Sequence, residues 1–188
     1  MTATTESADA VIRQHVIWAV GAGLVPVPIA DFVAVTAVQL DLIRQLCTLH
    51  GVSYEEGTGK VWVGALTGGA IARIGASAIK AIPGIGSILG GVSMSIASGA
   101  STYAVGQVVK SHLASGGTMS NFDVDAAKQK YETEYEKGKA VAKEASEKKN
   151  EKAGDVFEKL AKLGDLKAKG VITEAEFEAK KAELLKSV

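Results

Sequence analysis

Apolar residues recur at helical spacing along most of this chain, and nowhere do they alternate between turn residues in the two-residue rhythm of a strand. The pattern VIRQHVIWAVGAGLV predicts a first helix over residues 11–25, with the Thr and Ser residues of MTATTESADA ahead of it as candidate N-caps. Pro26 and Pro28 end it, because proline lacks an amide donor and disfavours helix in the residue before it. A second helix follows at about residues 30–50, with Asp41 and Arg44 one turn apart and placed to pair. His50 and Gly51 fit a last turn and its terminating glycine, with Val52 positioned for the usual hydrophobic contact. Ser53 to Glu56 fits a capping box for a third helix. Gly57, Gly59, Gly64, Gly68, Gly69 and Gly75 interrupt that helix, and an exposed glycine costs about 1 kcal/mol relative to alanine, so it requires close packing.

The stretch over residues 81–109, AIPGIGSILGGVSMSIASGASTYAVGQVV, carries no charge. Beyond Pro83, residues 84–109 predict one helix roughly 39 Å long, more than the roughly 30 Å of hydrocarbon in a bilayer. This is the one segment long enough to span, although Gly, Ala and Ser outnumber Leu, Ile and Val in it. Ser87, Gly91, Ser95 and Gly99 fall four apart, as do Gly86 and Gly90. Such ridges admit another helix to near backbone contact, in lipid or in a soluble bundle. They are the candidate helix-packing interface. The first half thus has two units of similar plan, each a helix, a proline-containing turn (Pro26 and Pro28, then Pro83) and a helix.

Past Ser115-Gly116-Gly117-Thr118, a predicted flexible joint, the character changes. Residues 1–119 hold 12 of the 42 charged side chains and 17 of the 21 glycines; residues 120–188 hold the other 30 charges, fifteen of each sign. Opposite charges three or four apart (Lys128 and Glu132, Lys130 and Glu134, Glu136 and Lys139, Glu144 and Lys148) predict a solvated helical spacer over about residues 121–152. Phe122, Tyr131 and Tyr135 give it a thin apolar stripe. A helical hairpin follows: Phe157, Leu160, Leu163 and Leu166 mark one face, Gly170 stops the first helix, and Thr173-Glu174-Ala175-Glu176 forms a capping box for the second. Ile172 and Phe177 supply the hydrophobic staple, and Leu184 and Leu185 end the apolar face. Thirty residues bury too little to stand alone, so the hairpin should dock or self-associate. The expected architecture is all-α: a low-charge, Gly-rich helical domain over residues 1–115, a charged helical linker over 116–153 and a hairpin over 154–188.

Net charge is zero, so nothing in the overall balance calls for a nucleic-acid partner. A single cysteine, Cys47, excludes an intramolecular disulfide and fits a reducing compartment. The N-terminus lacks the basic and apolar regions of a secretion signal. Gly57-Thr58-Gly59-Lys60 and Gly84-Ile85-Gly86-Ser87 miss the spacings of the phosphate-binding loops, so no cofactor is expected. His15, His50 and His112 have no ligand-spaced partners and read as surface or helix-end residues rather than metal ligands. Cys47 reads as a small buried apolar residue. Asp31 has two readings, an acid buried in a cavity or membrane and a partner for the dipole of the helix it opens. No catalytic constellation emerges.

Two resemblances add to this. FEKLAKLGDLKAKG followed by GVITEAEFEAKKAELL, about residues 156–185, resembles the SHOCT short C-terminal domain, which implies oligomerisation or other protein contacts and no catalysis. GLVPVPIADFVAV, QLDLIRQLCTLHGV, IPGIGS and STYAVGQVV lie within about residues 11–113. They resemble the bacterial YcjF-like family of unknown function, which implies a helical, membrane-associated module working near a separate GTPase. Together these lead to the expectation of a non-enzymatic, membrane-associated homo-oligomer at the cytoplasmic face of the bacterial inner membrane, with a bilayer and a separate GTPase or other protein as partners. A soluble cytoplasmic adaptor and a pore-forming protein are the alternatives.

Overall fold

The computed structural model describes residues 2–22, 28–78 and 94–185. They form six helices and, among the described residues, no strand: α1 (Thr2–Ala22), α2 (Pro28–Leu49), α3 (Glu56–Ala78), α4 (Met94–Ala114), α5 (Val124–Ala168) and α6 (Glu174–Leu185). The chain divides inside α5 into two compact units, Met1–Ala145 and Ser146–Val188.

The first unit is an up-and-down bundle whose helix order follows from a few contacts. A Cβ at Gly106 would lie 2.7 Å from Ile12 Cγ1, and one at Gly99 would lie 2.7 Å from Val20 Cγ2, so α4 runs antiparallel to α1. His15 of α1 meets Asp41 of α2, and Gln39 of α2 bonds Ser101 and Thr102 of α4. Trp62 of α3 packs against His112 near the end of α4. Ile12, Val16, Leu42, Ile43, Leu46, Val105 and Val109 form the centre of the core, each essentially fully buried.

The charged stretch expected to be a spacer contributes to this core. Its thin apolar stripe packs on the bundle, with Tyr131 buried and Phe122 and Tyr135 half-buried against the core, and Ala127 and Ala142 are buried there too. At Gly138 a Cβ would lie 2.8 Å from the carbonyl oxygen of Ala100, and at Gly99 one would lie 2.7 Å from Ala142 Cβ. Here α4 and α5 approach to backbone distance, the packing that small residues allow.

Several boundaries differ from the sequence expectation. The first helix starts at Thr2, not near Val11: Ala8 is buried in the core, and Asp9 pairs with Lys110 of α4 at 2.6 Å, so the candidate caps lie inside the helix. The third helix starts at Glu56 instead of within a Ser53 capping box; the Glu55 carbonyl accepts its first bond from Gly59, and the Glu55 side chain accepts from the Thr58 hydroxyl at 2.7 Å. The last apolar helix begins, among the described residues, at Met94 and runs on to Ala114; residues 84–93 lie outside them. No helix among the described residues is long and apolar enough to cross a membrane.

The predicted joint is a pinned turn. Gly116 has φ +84°, its amide donates to Leu113 and the amide of Gly117 donates to His112, the paired bonds of a left-handed helix cap. The His112 ring occupies the space beside Gly117, and its Nε2 lies 2.9 Å from the Thr118 carbonyl. Phe122 stacks on Trp62 with ring centroids 4.0 Å apart, and Asp123 caps α5 by accepting from the amides of Asp125 and Ala126. The same cap ends α2 as expected: Gly51 has φ +67°, and Val52 donates to Cys47 at 2.9 Å.

The second unit is the last part of α5 with α6. Gly170 (φ +69°) and Val171 donate to Lys167 and Leu166, closing the first helix. Thr173 and Glu176 bond reciprocally: the Thr173 amide donates to Glu176 Oε2 at 2.8 Å, and the Glu176 amide donates to Thr173 Oγ1 at 3.3 Å. That is the predicted capping box.

Candidate functional site

Three features of the bundle and one of the hairpin concentrate chemistry or exposed apolar surface. The first is a set of buried polar side chains. His15, fully buried, places Nδ1 2.8 Å from the Val11 carbonyl and Nε2 3.0 Å from Asp41 Oδ2. Asp41 also accepts from Gln45 at 2.7 Å and from Arg44, the pairing its spacing predicts. Burial opposes ionisation of Asp41, but the hydrogen bonds from His15, Arg44 and Gln45 outweigh it and hold its carboxyl below the usual value. Two residues before Asp41, buried Gln39 donates to Ser101 at 3.0 Å and to Thr102 at 3.3 Å, and Tyr131 donates to Ser101 at 2.9 Å. Burial pushes the Tyr131 phenol up to about 12. His15 is thus a core residue, not the surface or helix-end histidine its lack of sequence neighbours implied. Its partner lies 26 residues away, and no local spacing could reveal it.

Cys47 is buried, its Sγ 3.6 Å from the Met119 sulfur, and burial pushes its thiol up, away from the thiolate that reactivity requires. No group of three or more His, Cys, Asp or Glu among the described residues could hold a metal ion.

The second feature is a cavity of about 260 Å³ at the end where α2 and α4 finish, lined by His50, Gln107, Lys110, Ser111, Lys130 and Glu134 among others. Its charged groups have local partners: Lys110 with Asp9, Glu134 with Lys137 at 2.8 Å, and Lys130 donating to the Ser111 hydroxyl. His50 Nε2 is buried without a hydrogen-bond partner.

The third feature is exposed apolar surface: Ile17 and Trp18 of α1, Val33 of α2 and Met94 of α4 stand substantially in the open. Trp18 packs edge-on to the His15 ring at 4.6 Å.

The candidate residues read from the sequence divide as follows. Ser95 and Gly99 are buried, and Gly99 meets Val20 and Ala142 of the same chain. Pro28 is the first residue of α2, where its missing amide costs no helical bond, and Asp31 is the fourth. Pro26, Pro83, Gly86, Ser87, Gly90 and Gly91 lie outside the described residues. In the hairpin, Leu160, Leu163, Ile172, Phe177 and Leu184 are each half-buried, while Leu166 and Val171 are exposed. Lys167 pairs with Glu174 at 2.7 Å across the turn and sits 4.6 Å from the Phe177 ring centre. Sequence reasoning missed the His15–Asp41 pair, the Trp62–His112–Phe122 cluster and this exposed apolar set, since each is assembled from separate helices.

Comparison with known proteins gives these features a context. The chain is 37% identical over 153 residues to "Magnetosome membrane protein 22" of Magnetospirillum gryphiswaldense (strain DSM 6361 / JCM 21280 / NBRC 15271 / MSR-1), covering 79% of this chain and 78% of that protein. The chain belongs to that protein's family. Within this family member, residues 158–185 match SHOCT, the short C-terminal domain, on the segment where the sequence resemblance placed it. No solved structure matches the chain.

Proposed function

We propose that this protein is a membrane-associated, non-enzymatic scaffold whose helical bundle sits at a bilayer and whose terminal hairpin recruits protein partners. The observation that carries the reading is the pairing, in one chain, of a bundle from the family of a protein named for a membrane with a SHOCT hairpin whose apolar residues are only half-buried. A face of that kind gains stability by docking, on a second copy of the chain or on another protein. The buried polar groups of the bundle are bonded to one another, as suits a structural core. The location that fits is the cytoplasmic face of a bacterial membrane, with a magnetosome membrane as the specific candidate that the relative's name supplies. The resemblance of residues 11–113 to the YcjF-like family adds a separate GTPase to the candidate partners.

Fractionation tests this reading. The full-length chain should pellet with membranes, be released by mild detergent, and emerge as an oligomer or a complex. Recovery as a monomer in the high-speed supernatant without detergent overturns it. Removing residues 154–188 should leave the protein in the membrane fraction and abolish the larger assembly.

A further inference from the structure

The cavity at the end where α2 and α4 finish is built from single helix faces. Gln107, Lys110, Ser111 and Ala114 fall three or four apart on the last turns of α4, and Lys130 and Glu134 fall four apart on α5. Thr5, near the start of α1, and His50, just past α2, complete the lining. Thr5, Ala114 and Lys130 are exposed, so the cavity opens to solvent on their side, while the other lining residues are half-buried. Ala114 apart, every lining side chain is polar. The volume, about 260 Å³, lies just under the roughly 300–1,000 Å³ of sites for drug-sized ligands, so it suits a smaller, polar group.

Two observations indicate the chemistry of that group. The first is where the Lys130 ammonium goes. Lys128, Lys137 and Lys139 of the same helix each pair with the carboxylate three residues before, Asp125, Glu134 and Glu136. Ala127 holds that position for Lys130, and Glu134, the partner its spacing predicts, accepts from Lys137. Lys130 instead crosses to α4 and donates to the neutral Ser111 hydroxyl. With Lys110 on Asp9 and Lys137 on Glu134, three ammonium groups stand with two carboxylates, one positive charge in excess. The second observation is His50. Among the described residues, its Nε2 is the buried side-chain nitrogen or oxygen without a hydrogen-bond partner. Buried polar atoms are nearly always partnered, so an orphan on a residue of a cavity wall points to a partner from outside the chain.

A bound oxyanion answers both observations. An ammonium can donate three hydrogen bonds, of which Ser111 takes one, and bonds from a charged donor to a charged acceptor are the strong ones. A phosphate group brings about −1.5 to −2 charges and at least three acceptor oxygens, enough to meet donors on several helices at once. A carboxylate has one charge and two oxygens. We propose that this cavity binds a phosphate group, free or as part of a small monoester or a phospholipid headgroup, with Lys130 as its anchoring charge and Ser111 and His50 as further donors. The proposal is independent of the membrane-associated reading above.

The test titrates the full-length protein with inorganic phosphate, at constant pH and at an ionic strength held with potassium chloride. Phosphate should saturate a single site and shift the ring resonances of His50, assigned through His50→Gln. Lys130→Gln should weaken binding at least tenfold, with unchanged near-ultraviolet circular dichroism. Lys128→Gln removes an equal charge from an exposed pair on the same helix and should leave binding as it was. Absence of saturable binding, a His50 ring that does not respond, or equal losses in the two lysine variants overturns the proposal; the cavity wall is then satisfied by water. Phosphatidylcholine vesicles with and without phosphatidic acid separate the sources once free phosphate has bound. A gain in vesicle binding with phosphatidic acid, reversed by Lys130→Gln and by free phosphate, assigns the site to a headgroup. Vesicle binding indifferent to both assigns it to a soluble phosphate.

Discussion

In the bundle, Gly99 and Gly138 bring α4 and α5 to backbone contact, and Ile12, Leu42 and Val105 are wholly buried. In the hairpin, no described side chain between residues 158 and 184 is buried, and the geometry is set at the turn by Gly170, Thr173 and Glu176. The two regions are therefore specified at different ranges. Bundle positions are fixed by what lies on another helix, often far along the chain, and steric fit there leaves little tolerance. Hairpin turn positions are fixed by residues within a few positions of each other, and the hairpin's described apolar side chains stay half-buried or exposed.

The largest expected effect breaks the steric side of this contrast. A leucine at Gly99 would drive into Ala142 and Val20, where even a Cβ comes within 2.7 Å of each. Gly99→Leu should cost the bundle about 3 kcal/mol, the upper range for overpacking a filled core. Both tryptophans lie in the first unit, so urea unfolding followed by their emission reads the bundle alone. An unchanged midpoint would show that α4 and α5 are not held at this distance.

Next in size is the polar core. Asp41→Asn keeps the shape but withdraws the charge from His15 and Arg44, at an expected cost of about 2 kcal/mol for a partly buried hydrogen-bonded carboxylate. Because the folded state holds the Asp41 carboxyl below its usual value, the stabilisation is full above the unfolded pKa, about 3.9, and is lost as pH falls through the folded value. The wild-type urea midpoint should accordingly drop more steeply below about pH 4 than that of Asp41→Asn. Parallel slopes would remove Asp41 from the account.

The same difference in range decides how far the sequence could be read. The all-helical class, the glycine stop after α2 and the hairpin's capping box and Gly170 stop were legible, since each signal lies within a few residues. The early start of α1 was not, because what extends it to Thr2 is burial of Ala8 and the Asp9–Lys110 pair, about a hundred residues apart. The burial of Tyr131 was hidden for the opposite reason: dense surface charge around it gave the stretch the look of a solvated helix. Among the candidate surfaces, the half-buried hairpin face was legible as a hairpin. The exposed apolar set Ile17, Trp18, Val33 and Met94 was not, since its four residues come from three helices.

Smaller effects should appear at the hairpin turn. Gly170 sits at φ +69°, where a Cβ crowds the backbone, so Gly170→Ala should cost the hairpin about 1 kcal/mol. Thr173→Ala removes the cap of α6 at a similar cost, about 1 kcal/mol. Amide hydrogen exchange over residues 158–185 would register both, while the tryptophan-detected transition of the bundle stays put. Movement of that transition would show that the two units do not respond independently.

The smallest effect has the opposite sign and sharpens the contrast most. Gly164 lies inside α5 in the second unit, and a Cβ there would meet nothing within 4 Å. A helix-interior glycine with open space around it carries only the entropic cost of its own freedom. Gly164→Ala should therefore stabilise the hairpin by about 0.5–1 kcal/mol and slow its amide exchange accordingly. In the bundle the same glycine-to-alanine change at Gly99 destabilises, because Ala142 and Val20 already fill the space. A hairpin made less stable by Gly164→Ala would mean that a partner, or a second copy of the chain, packs against that glycine. The open helix face would then be an interface that depends on a small residue, as the α4–α5 contact does.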